Sequence, residues 1–304
     1  YPPSTMVSGA PFRTGKYNPT GDKSDDDLPL WEALTHSQKS ASLRVLELVR
    51  RKTSLEEYQD WGQRLGLSRK LRGNPAEALG GDHTLLEMTR VFGTFARRGH
   101  KPNNHFVRKI VAGNGRVLER HISPVDPYNE ASDAMISLWD SILKRRPEPL
   151  EETTAYLTTA NLLEVVQRGT GKRAKKLEHL VAGKTGTLDY DVWFAGFTWA
   201  RTAVTWLGSD RYERPLGFFG KSGMLGGTIA LPAWLDFMKE LDVERPQRRL
   251  PMVDRPKDIE LVYIDRATGL LGDNNDILMP HILGTAPIDS AFEENSPDNI
   301  EDQE

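Results

Sequence analysis

Apolar residues recur every three or four positions in four stretches of the chain, and this spacing predicts amphipathic helices. The stretches are "WEALTHSQKSASLRVLELVRR" at 31–51, then residues 54–67, 84–99 and 151–168. The predicted inward faces consist of Leu55, Tyr58, Trp61 and Leu65 in the second helix and of Leu85, Met88, Phe92, Phe95 and Ala96 in the third. Gly99 is predicted to end the third helix, because glycine readily adopts the left-handed backbone that terminates helices.

A different pattern, short runs rich in β-branched and aromatic residues, predicts strands. Residues 180–187, 191–199 and 202–208 are three such runs, and "IELVYID" is another. Alternation around Asn114-Gly115 predicts a hairpin, since this dipeptide favours tight turns. Residues 226–241 return to helical spacing, with a bend expected near Pro232. Helices, then adjacent strands, then a closing helix indicate a mixed α/β (α+β) fold with an antiparallel sheet.

The composition is that of an ordinary globular domain. Of 304 residues 38% are hydrophobic and 27% charged, and the formal net charge of −3 lacks the basic excess of a nucleic-acid-binding protein. The absence of cysteine excludes disulfides and thiolate metal sites, and no cluster of His, Asp and Glu has metal-ligand spacing. We divide the chain into a main domain at 1–242, a proline-rich extension at 243–288 and an acidic tail at 289–304 that is predicted to be disordered.

The run "VAGKTGT" at 181–187 contains the Gly-Lys-Thr word of a phosphate-binding loop. Such a loop requires Gly-x-x-x-x-Gly-Lys-Ser/Thr, so that consecutive backbone N–H groups surround the phosphates. Its first glycine would fall at position 178, where the chain has Glu178, whose carboxylate would repel phosphate. The pattern therefore argues against a nucleotide role for Lys184.

Five blocks of the sequence resemble, in order, the transpeptidase domain of the penicillin-binding proteins, and specifically that of the bifunctional class A peptidoglycan synthases. The clearest block is "VAGKTGT" followed by "DVWFAGF", which resembles the family's Lys-Thr-Gly box and next strand. The others are "RGTGKRAKKLEHL", "NPAEALGGDHTLLEMTRVFGTFARRG", "LPLWEALTHS" and the closing "IDRATGLLG" with "ILGTAP". The resemblance covers nearly the whole chain and is much more specific than the three-residue box alone.

This resemblance implies a penicillin-binding protein/serine β-lactamase-like fold, an antiparallel sheet flanked by helices, here truncated at its N-terminus. It implies D,D-transpeptidation of peptidoglycan stem peptides through a serine ester, acylation by β-lactam antibiotics as substrate mimics, and no cofactor. The full-length parent is expected in the bacterial cell envelope, on the periplasmic face of the inner membrane. It would have one N-terminal membrane anchor and an upstream glycosyltransferase domain, and no nucleic-acid partner.

On this resemblance the Lys-Thr-Gly element falls on Lys184, Thr185 and Gly186, followed by Thr187. Lys184 is expected to provide positive potential over the cleft, and the hydroxyls of Thr185 and Thr187 to bind the substrate carboxylate. Gly186 is expected to let the substrate backbone come close. The Thr187 N–H is expected to donate to the oxyanion of the reaction.

The family's Ser-x-Asn element falls on Ser37, Gln38 and Lys39 in "ALTHSQKSASLRVL". Ser37 keeps the hydroxyl that relays a proton, but Lys39 stands where the family has Asn, so a donor-only cation replaces an amide. If Lys39 and Lys184 share the cleft, charge repulsion should lower the pKa of one of them and help it act as a base. Weaker positioning of the substrate amide, or a Lys39 that points to solvent, are the alternatives.

The family's nucleophile, the serine of Ser-x-x-Lys, is expected just upstream of Tyr1, because "YPPSTM" resembles the segment that follows it. The one internal match runs from Ser141 to Lys144, after the second element and before the third, which is the wrong order. We interpret that match as a solvated helix end. The fragment alone is therefore expected to be unable to acylate.

Two alternative functions stay open. One is another enzyme of the same fold, a D,D-carboxypeptidase or serine β-lactamase, against which the lead-in "RGTGKRA" and the tail "GTAP" argue. The other is a non-catalytic domain that binds peptidoglycan or acts as a scaffold, which the replacement at Lys39 favours. A Ser-x-x-Lys pair upstream of Tyr1 would support an enzyme, and its loss would support a scaffold.

Overall fold

The structure, a computed structural model, divides into two compact units, one formed by residues 1–101 and 150–304 and the other by residues 102–149. It describes residues 1–10, 26–102, 106–107, 109–120, 149–209, 216, 218–219, 222–223, 225–244 and 255–291. The match from Ser141 to Lys144 and most of the predicted acidic tail lie outside these ranges. None of the described helices is both long and apolar enough to cross a membrane.

The helices follow the predicted segments with one break. They are α1 (Leu30–Thr35), α2 (Lys39–Lys52), α3 (Leu55–Leu65), α4 (Leu85–Ala96), α5 (Glu152–Gln167) and α6 (Ala230–Glu244), with 3-10 turns at Pro75–Ala78 and Lys172–Leu177. The single helix predicted at 31–51 is wrong, because Ser37 has a left-handed φ of 56° that an α-helix cannot contain. The chain therefore turns at residues 36–38, between α1 and α2.

The strands confirm the predicted antiparallel sheet. They are β1 (Met6–Val7), β2 (Leu28–Pro29), β3 (Lys109–Val111), β4 (Val117–Arg120), β5 (Ala182–Thr187), β6 (Asp191–Phe197), β7 (Thr202–Gly208), β8 (Phe218–Phe219), β9 (Ser222–Gly223), β10 (Ile259–Ile264) and β11 (Ile277–Ile282). Among the described residues β5, β6 and β7 form a three-stranded sheet in that order, and the other strands form antiparallel pairs. Strand β11 was not predicted; it contains Pro280, which lies opposite Leu261.

In the second unit, β3 and β4 confirm the hairpin predicted around Asn114-Gly115. Gly115 has a φ of 83°, which the tight turn requires and glycine permits. The Asn114 Oδ1 atom accepts a hydrogen bond of 3.1 Å from the Arg116 N–H and completes the turn.

The largest apolar cluster packs α6 against the sheet. Phe194 of β6 and Trp234 of α6 have no exposed surface, and their rings meet edge to face with centroids 5.0 Å apart. Leu231 and Met238 extend the same cluster along α6. Pro232 lies in the first turn of this helix, where its missing N–H removes no intrahelical hydrogen bond, so the sequence needs no bend there.

Two further clusters attach the remaining helices. Leu162 and Leu163 of α5 pack with Ala182 of β5 and Phe197 of β6, and Phe92 of α4 contacts the same group. Trp31 of α1, which has no exposed surface, packs with residues of the β10–β11 hairpin, namely Ile264, Ile277 and Met279. The C-terminal hairpin is thus part of the core around α1.

The predicted inward faces of α3 and α4 are partly wrong. Leu55, Trp61 and Leu85 are exposed by 41%, 39% and 43%. Gly62 and Leu65 are the buried residues of α3, and a Cβ on Gly62 would lie 2.7 Å from Leu71 Cδ1. Helix α3 therefore packs its glycine against Leu71, and the spacing of apolar residues in the sequence cannot predict that a glycine faces inward.

Helix α4 begins at a capping box and ends before Gly99. The Glu87 carboxylate accepts hydrogen bonds from the Thr84 N–H at 2.7 Å, the Ser68 N–H at 2.6 Å and the Ser68 hydroxyl. Gly99 has a φ of 97° and donates its N–H to the Thr94 carbonyl at 2.9 Å, but the first left-handed residue after the helix is Arg98, with a φ of 58°, so the predicted glycine lies one position beyond the residue that ends α4.

Replacing Glu87 by Gln is expected to cost about 2 kcal/mol of stability at pH 7. Burial raises the pKa of Glu87, but hydrogen bonds from Ser68 and Thr84 outweigh burial and lower the pKa from 4.5 to about 2. A lowered carboxyl pKa stabilises the fold above pH 4.5, and this stability is lost as the pH falls through 2. Urea unfolding at pH 7 and pH 3 measures both effects.

The matched control is Glu57→Gln, which removes the carboxylate of a second capping box, with Ser54 as its N-cap. Glu57 is fully exposed, so its removal should have a clearly smaller effect. Equal losses from the two variants would show that the buried contacts to Ser68 contribute nothing.

Candidate active site

The Lys-Thr-Gly run lies on β5, at one edge of the three-stranded sheet. Its register on β6 pairs Lys184 with Ala195, Thr185 with Phe194 and Gly186 with Trp193. No strand pairs with the other edge of β5 among the described residues. An extended peptide could therefore add to β5 through backbone hydrogen bonds.

Ser37 and Lys184 meet at this edge, although 147 positions separate them in the sequence. The Lys184 Nζ atom donates a hydrogen bond to Ser37 Oγ and another, of 3.1 Å, to the Thr185 carbonyl. Ser37 lies in the turn between α1 and α2, where its backbone is left-handed. The structure therefore brings the predicted second and third elements into direct contact.

Burial lowers the pKa of the Lys184 ammonium from 10.5 to about 8. The amine is therefore easier to deprotonate than an ordinary lysine and can exchange a proton with Ser37 near neutral pH. The sequence suggested repulsion from Lys39 as the cause of such a shift, but the cause here is burial.

Lys39 is the first residue of α2 and is partly exposed. Its neighbour Gln38 has only 5% of its surface exposed, and the Gln38 Oε1 atom is buried without a hydrogen-bond partner among the described residues. A role for Lys39 in the cleft stays a prediction. The middle residue of Ser-x-Asn is directed into the protein.

Thr170 is a site residue that the sequence analysis did not single out. Its hydroxyl lies 2.7 Å from that of Thr185, and its N–H donates to the Thr35 carbonyl at 3.4 Å. A Cβ on the preceding Gly169 would lie 2.1 Å from the Thr35 oxygen, so only glycine fits there. The sequence feature that could have identified Thr170 is the "RGTG" lead-in at 168–171, which contacts both the end of α1 and β5.

Gly186 and Thr187 are held by contacts within the protein. A Cβ on Gly186 would lie 3.1 Å from Trp193 Cβ, so the glycine serves close packing on β6 as well as any approach of a substrate. The Thr187 hydroxyl oxygen accepts a hydrogen bond of 3.0 Å from the Gly226 N–H, which leaves its own O–H available as a donor.

The assembled site combines the Lys184 amine, which contacts the Ser37 hydroxyl, with the paired hydroxyls of Thr170 and Thr185 and with the hydroxyl of Thr187 on the same strand. Such a set can bind a carboxylate and move a proton. In the described part of the chain no three His, Asp or Glu side chains are arranged to hold a metal ion. Asp191 is buried, and its Oδ1 accepts a hydrogen bond of 3.2 Å from the Trp193 indole N–H, so its carboxylate makes a structural contact on β6.

Known proteins resemble this chain in sequence over most of its length. The sequence model of the family described as "Penicillin binding protein transpeptidase domain" matches residues 2–215. Penicillin-binding protein 1A of Aquifex aeolicus is 30% identical over 250 residues, which cover 79% of this chain and 30% of that protein. Penicillin-binding protein 1A of Pseudomonas aeruginosa is 30% identical over 276 residues, 80% of this chain and 32% of that protein. The chain thus spans about a third of the length of these relatives.

Solved structures show the same fold. The crystal structure of penicillin-binding protein 1A from Haemophilus influenzae superimposes with a TM-score of 0.75 and 25% identity, covering 95% of this chain and 46% of that one. PonA1 from Mycobacterium tuberculosis in complex with penicillin V gives a TM-score of 0.60 at 18% identity and covers 88% of this chain. The family match over residues 2–215 and the fold shared with these structures show that the chain belongs to the penicillin-binding protein transpeptidase domain family.

Proposed function

We propose that this chain forms the substrate-binding side of a peptidoglycan D,D-transpeptidase active site, in a protein of the bacterial cell envelope whose periplasmic side it would occupy. The observation that carries the proposal is the hydrogen bond between Lys184 Nζ and Ser37 Oγ at the open edge of β5. It joins an amine with a lowered pKa, a hydroxyl and a strand edge, which are the groups that peptide acyl transfer requires around its nucleophile.

In this proposal each residue has a separate task. The edge of β5 binds the stem peptide as an added strand. The hydroxyls of Thr185 and Thr187 hold its terminal carboxylate, and the Thr187 N–H donates to the oxyanion of the tetrahedral intermediate. Lys184 and Ser37 relay the proton between the nucleophile and the leaving amine, as the lowered pKa of Lys184 allows.

Labelling with a fluorescent penicillin tests this function. Two forms are compared: the 304-residue chain and a longer form that carries a Ser-x-x-Lys segment ahead of Tyr1. We expect covalent, saturable labelling of the longer form and none of the 304-residue chain. Ser141→Ala in the longer form is the matched control and should label normally, because Ser141 is not the nucleophile of this proposal.

Two results would contradict the proposal. Labelling of the 304-residue chain that Ser141→Ala abolishes would assign the nucleophile to Ser141. A longer form that folds but does not label would favour the second candidate function, a non-catalytic peptidoglycan-binding or scaffold domain. The replacement at Lys39 favours that candidate, and Lys39→Asn would then show whether the cation is the cause.

A further inference from the structure

The β10–β11 hairpin lies outside residues 2–215, the part of the chain that the family model matches. We propose that this hairpin holds α1 in its catalytic position, and that Arg266, in the turn between its strands, is a positioning residue for Ser37. The proposal rests on the proposed function, since it assigns a role in that same site.

Helix α1 cannot fix its own position. It has only six residues, its N-cap Pro29 provides no side-chain cap, and isolated helices of this length do not form in water. Its first N–H groups donate instead to the N-terminal segment, from Leu30 to the Thr5 carbonyl at 2.8 Å and from Trp31 to the Pro3 carbonyl at 3.1 Å. The location of α1 is therefore set by its neighbours.

The hairpin provides the apolar part of that support. Trp31 is fully buried against Ile264, Ile277 and Met279. The hairpin also binds the N-terminal segment, because the buried His281 of β11 lies 2.9 Å from Ser4 Oγ through its Nε2 atom. Both α1 and the segment that its first N–H groups bind are thus attached to the hairpin.

Arg266 provides the polar part. Its Nη2 atom donates a hydrogen bond of 2.9 Å to Glu32 Oε1, across 234 positions of sequence, and its guanidinium carbon lies 5.8 Å from the centre of the Trp31 ring. The same Glu32 oxygen lies 3.0 Å from His36 Nε2, directly before Ser37. One carboxylate oxygen thus joins the hairpin to the residue next to the site.

The charge of Arg266 also acts on two carboxylates, Glu32 of α1 and Glu164 of α5. Burial raises the pKa of Glu164, and the negative charge of Glu32 raises it further, whereas Arg168, Arg266 and Lys175 lower it. The Arg168 Nε atom lies 3.0 Å from Glu164 Oε2. Because Arg266 binds Glu32 directly, its loss would leave that carboxylate less well neutralised and α1 without its polar link to the hairpin, while Arg168 stays paired with Glu164.

A displacement of α1 would reach both sides of the site. Its C-terminal end holds Ser37, whose N–H donates to the Leu34 carbonyl at 3.2 Å, and Gln38, whose N–H donates to the Ala33 carbonyl at 2.9 Å. The Thr35 carbonyl accepts from the Thr170 N–H. Ser37 and Thr170 would therefore move together relative to Lys184 and Thr185, and shifts of about 1 Å are enough to slow catalysis strongly.

Amide hydrogen exchange on the 304-residue chain tests the positioning without depending on catalysis. Arg266→Ala is expected to accelerate exchange of the 36–38 amides about tenfold and to leave the α4 amides unchanged. Arg266 is 52% exposed, so its ion pair adds little global stability and the melting temperature should hardly change. Arg266→Lys should restore most of the protection, and Lys257→Ala, an exposed cation before the same hairpin, should have no effect.

A second measurement uses the longer form with the Ser-x-x-Lys segment. Arg266→Ala should lower the acylation rate constant for penicillin about tenfold with little change in the preceding binding constant. Glu32→Gln should lower the acylation rate constant to the same extent, and the double variant should acylate no more slowly than either single variant.

Three results would overturn the proposal: unchanged exchange of the 36–38 amides, a uniform rise in exchange along the chain, or additive effects of the two substitutions on acylation. A longer form that never acylates would refute the proposed function, while the exchange result would still decide on the positioning.

Discussion

Replacing Lys184 by Met is expected to stabilise the folded chain by about 2 kcal/mol at pH 7 while it removes the catalytic function. Burial lowers the pKa of Lys184 from 10.5 to about 8, and at about 1.4 kcal/mol per pKa unit a charged ammonium at this place costs about 3 kcal/mol. Met keeps the length and apolar contacts of the stem and loses about 1 kcal/mol with the hydrogen bond to Ser37.

The pH dependence of stability provides a sharper test. Because the pKa is lower in the folded state, the unfolded chain binds more protons between pH 8 and pH 10.5, so wild-type stability should rise with pH across this window. The variant lacks the titrating amine, so position 184 should contribute no pH dependence to its stability in this window. Urea unfolding at pH 7 and pH 10.5 measures the difference, which should shrink as the wild-type amine loses its proton.

Lys172→Met is the matched control, since Lys172 is an exposed lysine and its replacement should leave stability nearly unchanged. In the longer form, Lys184→Met should reduce acylation by penicillin at least about a hundredfold. A variant that is less stable than the wild type at pH 7 would show that the Ser37 hydrogen bond outweighs the burial of the charge.

Gly169→Ala is expected to destabilise the chain by about 3 kcal/mol and to move Thr170 off β5. The added Cβ would lie 2.1 Å from the Thr35 carbonyl oxygen and 2.9 Å from that of Val165. Both atoms belong to the backbone, so the clash with Thr35 can be relieved only by moving α1 away from this turn, and the clash with Val165 only by distorting the turn that follows α5. Thermal unfolding, together with the exchange rate of the Thr170 amide, measures the two effects.

Gly113→Ala is the control for this change, because a Cβ on Gly113 meets nothing within 4 Å. Its effect should stay within about 0.5 kcal/mol. If Gly169→Ala were equally harmless, the close contact between the "RGTG" lead-in and Thr35 would be wrong, and with it the link between Thr170 and the Ser37 turn.

The elements with strong local signals were predictable from sequence. Strands β5, β6 and β7 are short, β-branched and aromatic runs separated by tight turns, and their pattern needs no tertiary contact to be recognised. The Asn114-Gly115 turn was predictable for the same reason, because it depends on backbone angles that few residues adopt, whereas α4 ends with a left-handed Arg98 that no local signal marks.

The parts that failed depend on distant contacts. Nothing in the local sequence marks Ser37 as left-handed, since that conformation is imposed where α1 ends against β5. Trp61 fits an apolar stripe, yet Gly62 faces inward because Leu71 occupies the space beside it. Strand β11 was missed, and it tolerates Pro280 because one edge of a two-stranded hairpin needs no donor.

The site itself was predictable as residue types and not as geometry. Lys184 and Thr185 could be assigned through the family box, and Ser37 through its resemblance to the Ser-x-Asn element. Thr170 could not be assigned to the site from sequence, because its place there depends on a contact of 2.7 Å between its hydroxyl and that of Thr185. The cause of the lowered pKa of Lys184 is burial, which charge counting along the sequence cannot reveal.

The long separation between α1 and the hairpin that covers it has a consequence for synthesis on the ribosome. Glu32 and Arg266 are 234 positions apart, so at about 5–20 residues per second the ribosome needs roughly 10–50 s to make the second after the first. Until then β10 and β11 are not available to bury the indole ring of Trp31. The turn with Ser37 must therefore be among the last parts of a nascent chain to reach its final place, and during that interval the apolar face around Trp31 is open to chaperones.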